Sequence, residues 1–290
     1  MGTGSDYGRA EARSKAGRLP LGAGVPVTLP TAMTEAEQDA LLAVALEAAR
    51  GAGDELRARF GHRPHGVRAK SGPTDLVSDA DLAAEAAIRA VLKSRRPDDA
   101  ILAEEGGATA GGALRWVVDP LDGTINFLFG IPAWAVSVAC EDAEGGLAGV
   151  VLDPIRGECF AATRAGAATL DGEPIHARTE GELANALVAT GFSYDAAVRA
   201  RQAAVVTEVL PRVRDIRRMG AAALDLCWTA CGRFDVYYER GLQRWDLAAG
   251  SLIAARAGLE VRRLEPVGIE PAGVIVTRAG LMAQVVELVG

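Results

Sequence analysis

One short apolar run that ends in two acids constrains this chain more than any other feature. Trp116-Val117-Val118 reads as a buried strand, and it runs straight into Asp119-Pro120-Leu121-Asp122-Gly123-Thr124. Ionised carboxylates at the edge of a core are costly unless they are paired or hold a cation. Any fold must therefore place Asp119 and Asp122 where something neutralises them. Gly123 and Thr124 follow at once, and their backbone N–H groups can open a helix, so cation ligands would stand beside anion donors. Taken alone, the segment also fits a plain turn in which Asp122 caps a helix.

Three further acidic positions join the first pair. Glu104-Glu105 closes a short apolar strand, Ala100–Ala103, and can reach the same sheet edge. Asp246 follows Trp245 and opens a helix, where the macrodipole favours an anion. Asp81 lies in the first turn of a helix that Ser78 begins. Each alone fits a cap or a solvated acid. Together they fit a polynuclear Mg²⁺ site, because carboxylates and water suit that ion.

The rest of the chain alternates strands and helices, which is the pattern of an α/β (α+β) layered protein. Residues 1–31 read as a disordered tail, and residues 32–290 as one domain without repeat or linker. Thr34 and Glu37 fit a capping box that opens a helix to about Phe60. His62 to Thr74, with Lys70, reads as a mobile hairpin or loop. Strands are expected over 133–140, 146–153, 157–163, 186–190, 212–217, 234–239 and 274–277. Asp171-Gly172 marks a hairpin turn. Helices are expected over 195–210, 221–231, 246–257 and 280–289, with Gly258 as a C-terminal stop.

Composition excludes several classes. The 31 basic and 38 acidic residues leave a net charge of −7, a poor basis for nucleic-acid binding. Gly123 to Cys140 carries no charge, but Asn126 and Pro132 make it buried irregular chain and strand rather than a membrane span. The N-terminus shows no secretory pattern, and the four cysteines contain no CxxC pair, which favours free thiols in the cytoplasm. His62, His65 and His176 are not in zinc-ligand spacing. There is no Walker A or GxSxG motif. Asp119 and Asp122 are one residue too far apart for a DxDxT nucleophile, and Cys159 to Arg164 is too short for C-x5-R. The basic run Arg212, Arg214, Arg217 and Arg218 fits an edge strand protected by charge, or a partner surface.

The segments Lys70-Ser71-Gly72-Pro73-Thr74-Asp75 through Ser78-Asp79-Ala80-Asp81, Glu104-Glu105, Asp119-Pro120-Leu121-Asp122-Gly123-Thr124-Ile125-Asn126-Phe127 and Trp245-Asp246-Leu247-Ala248-Ala249-Gly250 together resemble the inositol monophosphatase family in order and spacing. The resemblance runs from about Leu41 to the C-terminus. It implies a layered αβαβα sandwich, shared with fructose-1,6-bisphosphatase, and a phosphatase dependent on two to three Mg²⁺ ions. Glu104, Asp119 and the Leu121 carbonyl would hold the first ion. Asp119, Asp122 and Asp246 would hold the second, and a weaker third would sit near Glu104 and the Lys70 loop. Thr124 and Asp81, with Glu104, would orient the attacking water. Asp122 and the Gly123 and Thr124 amides would meet the phosphate, while Gly220, Ala221, Ala222 and Glu239 would meet the alcohol.

The implied reaction is hydrolysis of a small phosphate monoester, with inositol 1-phosphate first. Histidinol phosphate, fructose 1,6-bisphosphate and 3′-phosphoadenosine 5′-phosphate are alternatives, as is a non-catalytic regulatory role. A cytoplasmic homodimer inhibited by lithium is the family expectation. Two departures stand out. Gly106 occupies a place where many members carry Ser or Thr, and Arg244 is expected at the substrate rim.

Overall fold

Hydrogen bonds at helix starts determine where the chain first turns helical. The Thr34 hydroxyl accepts from the Glu37 N–H while the Glu37 carboxylate accepts from the Thr34 N–H, so α1 (Glu35–Arg59) opens on a capping box. The computed structural model describes residues 33–62, 66–72 and 75–290. The tail expected over residues 1–31 lies outside them, as does the side chain of Lys70. Where a hairpin was expected, β1 (Arg68–Gly72) pairs antiparallel with β2 (Asp75–Val77). A second capping box, built from Ser78 and Asp81, opens α2 (Asp79–Arg95).

The first large sheet has eight strands. They are β3 (Ala100–Ala103), β4 (Gly107–Thr109), β5 (Arg115–Asp122), β6 (Ala135–Asp142), β7 (Gly145–Asp153), β8 (Glu158–Thr163), β9 (Thr169–Leu170) and β10 (Glu173–Pro174). Their spatial order is β10-β9-β8-β7-β6-β5-β3-β4. Within this sheet only β3 and β5 pair parallel, so the residues that follow both strands emerge at the same edge. A short helix, α3 (Thr124–Leu128), leaves β5 through Gly123, whose φ of 91° is open to glycine at little cost. Asp171 (φ 53°) and Gly172 (φ 86°) make the expected turn between β9 and β10.

The second sheet orders β12-β11-β13-β15-β14. Its strands are β11 (Leu187–Thr190), β12 (Asp215–Arg217), β13 (Val236–Arg240), β14 (Glu260–Leu264) and β15 (Gly273–Thr277). The accompanying helices are α4 (Ala196–Val209), α5 (Ala222–Ala230), α6 (Arg244–Arg256) and α7 (Ala279–Val289).

Three cores stack these parts into layers. Trp116, Val118, Val136 and Val138 face α1 and α2, meeting Leu41, Leu56, Ile88 and Leu92. Val117, Ala135 and Val151 face the other way, onto Leu224 and Leu226 of α5 and Ala249 and Ile253 of α6. The same two helices bury Tyr237, Val274 and Val276 of the second sheet. Its far side packs Val188, Val236 and Ile275 against Val209 of α4 and Leu281, Met282 and Val285 of α7. The order is α, β, α, β, α, as the resemblance implies. Because helices cover both faces of β5, its apolar run is continuous rather than alternating. Burying each Leu or Ile of these cores stabilises the fold by about 1.5–3 kcal/mol. Small residues bring α5 and α6 close: a Cβ on Gly250 would lie 2.6 Å from Leu226 Cδ1. Met33–Gly290 forms one compact unit. Among the described residues, no helix is long and apolar enough to cross a membrane.

Candidate active site

The acids that end β5 are aimed by an irregularity in the strand. Register between β5 and β6 shifts between Asp119 and Asp122, around Pro120, which has no N–H to give the ladder. Asp119 is 2% exposed, and its Oδ1 accepts from the Leu121 N–H at 3.0 Å. Asp122 does cap a helix, but not the one that follows it. Its Oδ1 accepts from the Ala222 N–H (3.1 Å) and its Oδ2 from the Ala223 N–H (2.7 Å), in the first turn of α5. That helix has no side-chain cap of its own.

Thr124 Oγ1 lies 3.0 Å from Asp81 Oδ1 and 3.0 Å from the Leu121 carbonyl oxygen. Asp81 is fully buried, and its Oδ2 accepts from the Ser78 N–H (2.8 Å) and hydroxyl (2.7 Å). Glu104 stands one residue beyond β3, and its N–H continues the ladder to the Val118 carbonyl at 3.2 Å. Helix α6 starts two residues earlier than expected, at Arg244, so Asp246 occupies its first turn rather than its first position. There Asp246 Oδ2 accepts from the Gln243 N–H at 2.7 Å. Glu239, on β13, accepts from the Tyr237 hydroxyl at 2.8 Å. A Cβ on Gly191 would lie 2.0 Å from Glu239 Oε2, so that residue's bareness makes room for the carboxyl.

These groups line one cavity of about 550 Å³. Glu104, Asp119, Leu121, Asp122, Gly123, Thr124, Asp246, Glu239, Gly220 and Ala222 all reach it. Ala221 does not; it is 1% exposed and packs behind, its Cβ 3.2 Å from where a Cβ on Gly123 would stand. Asp81 does not line the cavity; it meets Thr124, which does. The side chain of Lys70 lies outside the described ones.

Crowded acids in a buried setting resist ionisation. Burial, together with Glu104, Asp122 and Asp246, pushes Asp119 well above the usual carboxylate range. Burial raises Asp122 to about 7, against the pull of the Ala223 and Ala222 amides. Burial and Asp122 raise Asp246 to about 8. Glu239 also rises to about 7 by burial, offset partly by the Tyr237 hydroxyl and by Arg218. The Glu104 and Asp246 carboxyls stand within hydrogen-bonding reach of Asp119. Among the described residues no three of these acids form a ready metal-holding group.

Some expectations about the surroundings do not hold. Arg244 does not line the cavity, although its neighbours Gln243 and Trp245 do: it pairs with Glu141, a 2% exposed acid that also takes Arg115. The basic run divides. Arg212 pairs with Glu208 (3.9 Å) and Arg217 with Asp215 (2.6 Å), while Arg214 donates to the Asn185 carbonyl (2.9 Å). Arg218 instead lines the cavity. Ser193, Tyr194 and Asp195 reach it too, from the loop after β11. A Gly-Phe-Ser-Tyr-Asp segment at the end of a parallel strand was the available signal for that loop. Nothing in the sequence marked Asp225, an acid in the otherwise apolar α5. It is fully buried, and among the described residues neither carboxyl oxygen has a hydrogen-bond partner.

The fold and site together define an αβαβα sandwich with an acid-lined cavity where two parallel strand ends meet the first turn of α6. The chain belongs to the inositol monophosphatase family, whose model matches residues 37–287. It is 47% identical over 213 residues to the inositol-1-monophosphatase of Mycobacterium bovis, covering 70% of this chain and 73% of that protein. It is 38% identical over 221 residues to the Nus factor SuhB of Pasteurella multocida, covering 75% and 83%. Among solved structures, the extragenic suppressor protein suhB from Bartonella henselae superposes with a TM-score of 0.79 at 34% identity, covering 86% of this chain and 98% of that one.

Proposed function

We propose that the protein hydrolyses a small phosphate monoester with Mg²⁺, and that inositol 1-phosphate is its first substrate. The observation that carries this is the meeting of Glu104, Asp119, Asp122, Thr124, Asp246 and Glu239 in one cavity. The chemistry of the donor set suits the ion, since every group is an oxygen donor and the acids line one cavity, though they would have to draw together to hold it. On this reading Glu104, Asp119 and the Leu121 carbonyl hold one ion, and Asp119, Asp122 and Asp246 another. A weaker third ion belongs near Glu104 and the Lys70 loop. Bound Mg²⁺ supplies positive charge to the phosphate and to the leaving oxygen of the alcohol.

The chain's own groups do the rest. Gly123 and Thr124, at the start of α3, offer amides to a phosphate oxygen. Thr124 Oγ1, anchored on Asp81, would orient the attacking water together with Glu104 and pass its proton toward Asp81. Glu239 and the Gly220–Ala222 turn bind the hydroxyls of the alcohol, and Glu239 is held in place by the Tyr237 hydroxyl. The same reading carries a cytoplasmic, lithium-sensitive homodimer.

The relatives named Nus factor SuhB support a second reading, a regulatory chain that keeps the fold. Phosphate release separates the two. With Mg²⁺, release is expected from inositol 1-phosphate ahead of histidinol phosphate, fructose 1,6-bisphosphate and 3′-phosphoadenosine 5′-phosphate, and none is expected in EDTA. Preference for another of the four keeps the chemistry and reassigns the alcohol. Release unaffected by EDTA, or no release from any, overturns the proposal.

A further inference from the structure

The turn that Glu104 opens is gripped from below. Glu85 of α2 is 4% exposed, and its Oε2 accepts from the N–H groups of both Glu105 (2.9 Å) and Gly106 (3.1 Å). Its Oε1 accepts from Arg89 Nε at 2.6 Å, and Arg89 Nη2 donates onward to the Gly107 carbonyl at 3.1 Å. Three consecutive residues after Glu104 are thus fixed to one helix. On the other side, the Glu104 N–H is fixed to β5.

Gly106 is the residue that lets the grip close. A Cβ there would lie 2.3 Å from Glu85 Oε1 and 2.6 Å from Arg89 Nη2. The space a side chain would need at this position is filled by the Glu85–Arg89 pair. Asp81 and Glu85 are four apart on one face of α2. Two acids so placed repel on an isolated helix, but here each accepts from backbone N–H groups of a different segment. The helix therefore sets the distance between the Asp81–Thr124 contact and the Glu104 turn.

We infer that Glu85, with Arg89, is a positioning residue that presents Glu104 to the cation. The inference rests on the Mg²⁺ phosphatase proposal above. Groups that orient a ligand in this way are worth about 10–100-fold in metal affinity. Mg²⁺ binding to the wild-type chain, Glu85→Ala, Glu85→Gln and Gly106→Ser is measured by calorimetry well below each variant's unfolding temperature. Glu85→Ala is expected to weaken Mg²⁺ binding by about 10–100-fold, and Glu85→Gln, which keeps an oxygen for the two amides, to recover most of it. Gly106→Ser displaces the pair without removing it and is expected to fall between them. It also serves if Glu85→Ala does not fold. With Mg²⁺ at saturation, KM for the phosphate ester should stay at the wild-type value, since no substrate contact is altered. Wild-type affinity in Glu85→Ala, or in Gly106→Ser if only that variant folds, overturns the inference and leaves the phosphatase proposal standing. A wild-type chain that binds no Mg²⁺ overturns both.

Discussion

Removing divalent cations and raising the pH should destabilise this protein by an amount that follows from its crowded acids. Asp122, Asp246 and Glu239 lie at about 7, about 8 and about 7, against 3.8, 3.8 and 4.5 for free side chains. The folded state therefore keeps protons that the unfolded chain has already released. For a raised acid, the stabilisation is complete below the unfolded value, near pH 4, and is lost as pH climbs through the folded value. Each retained proton costs about 1.4 kcal/mol per pH unit over that window. Counting a single retained proton for the whole cluster, the rise from about pH 5.5 to about pH 7 costs about 2 kcal/mol. For a domain of this size that is a fall in Tm of roughly 4–8 °C. The assay is thermal unfolding in EDTA across this range, repeated with excess Mg²⁺. A bound cation favours the ionised acids, so Mg²⁺ should raise Tm more at pH 7 than at pH 5.5. An EDTA profile that is flat or rises with pH would refute the account of the acids, as would an Mg²⁺ effect equal at both ends.

Four other outcomes follow. Asp119→Asn should abolish Mg²⁺-dependent phosphate release, by at least about 100-fold, while circular dichroism shows an intact fold; retained turnover sinks the site assignment. Asp225→Asn should raise Tm at neutral pH, because the change removes a buried, unpartnered acid that burial, Glu239 and Asp122 push well above its ordinary value. Its gain should shrink as pH falls toward 4, and a loss of stability at pH 7 would show that the carboxylate has a partner. Gly250→Ala forces a methyl group against Leu226 and should cost about 1–3 kcal/mol in chemical denaturation. Arg244→Ala should leave KM for every substrate of the panel unchanged, since Arg244 is spent on Glu141; a changed KM would return it to the substrate rim.

Legibility in the sequence followed how local each cause was. The caps at Thr34 and Ser78 and the Asp171-Gly172 turn depend on residues within a few positions, and all three could be read directly. The β5 run was visible because helices cover both of its faces, leaving no polar alternation to confuse it. Strand β14 was not visible: four of its five residues are exposed on a sheet edge, and Glu-Val-Arg-Arg-Leu shows no buried face. Strand β4, Gly-Ala-Thr, is exposed throughout. At the site, residue types and order pointed to the acids of the cavity, but partners far along the chain decided directions. Arg244 turns to Glu141, over 103 positions, and Asp122 caps a helix 100 positions on. Arg218 looked like one member of a surface run until the fold turned it into the cavity.

The Asp122 carboxylate has a consequence of its own. One side chain faces the proposed cation and also holds the N-terminus of α5, beside the turn proposed to meet the alcohol. Two ligands that share a support are linked, and linkage is reciprocal: whatever factor the alcohol contributes to cation affinity, the cation returns to the alcohol. Substitutions in the Gly220–Ala222 turn would then alter metal requirement as well as substrate choice. Within such a family, new specificities would be reached along paths on which both properties change together.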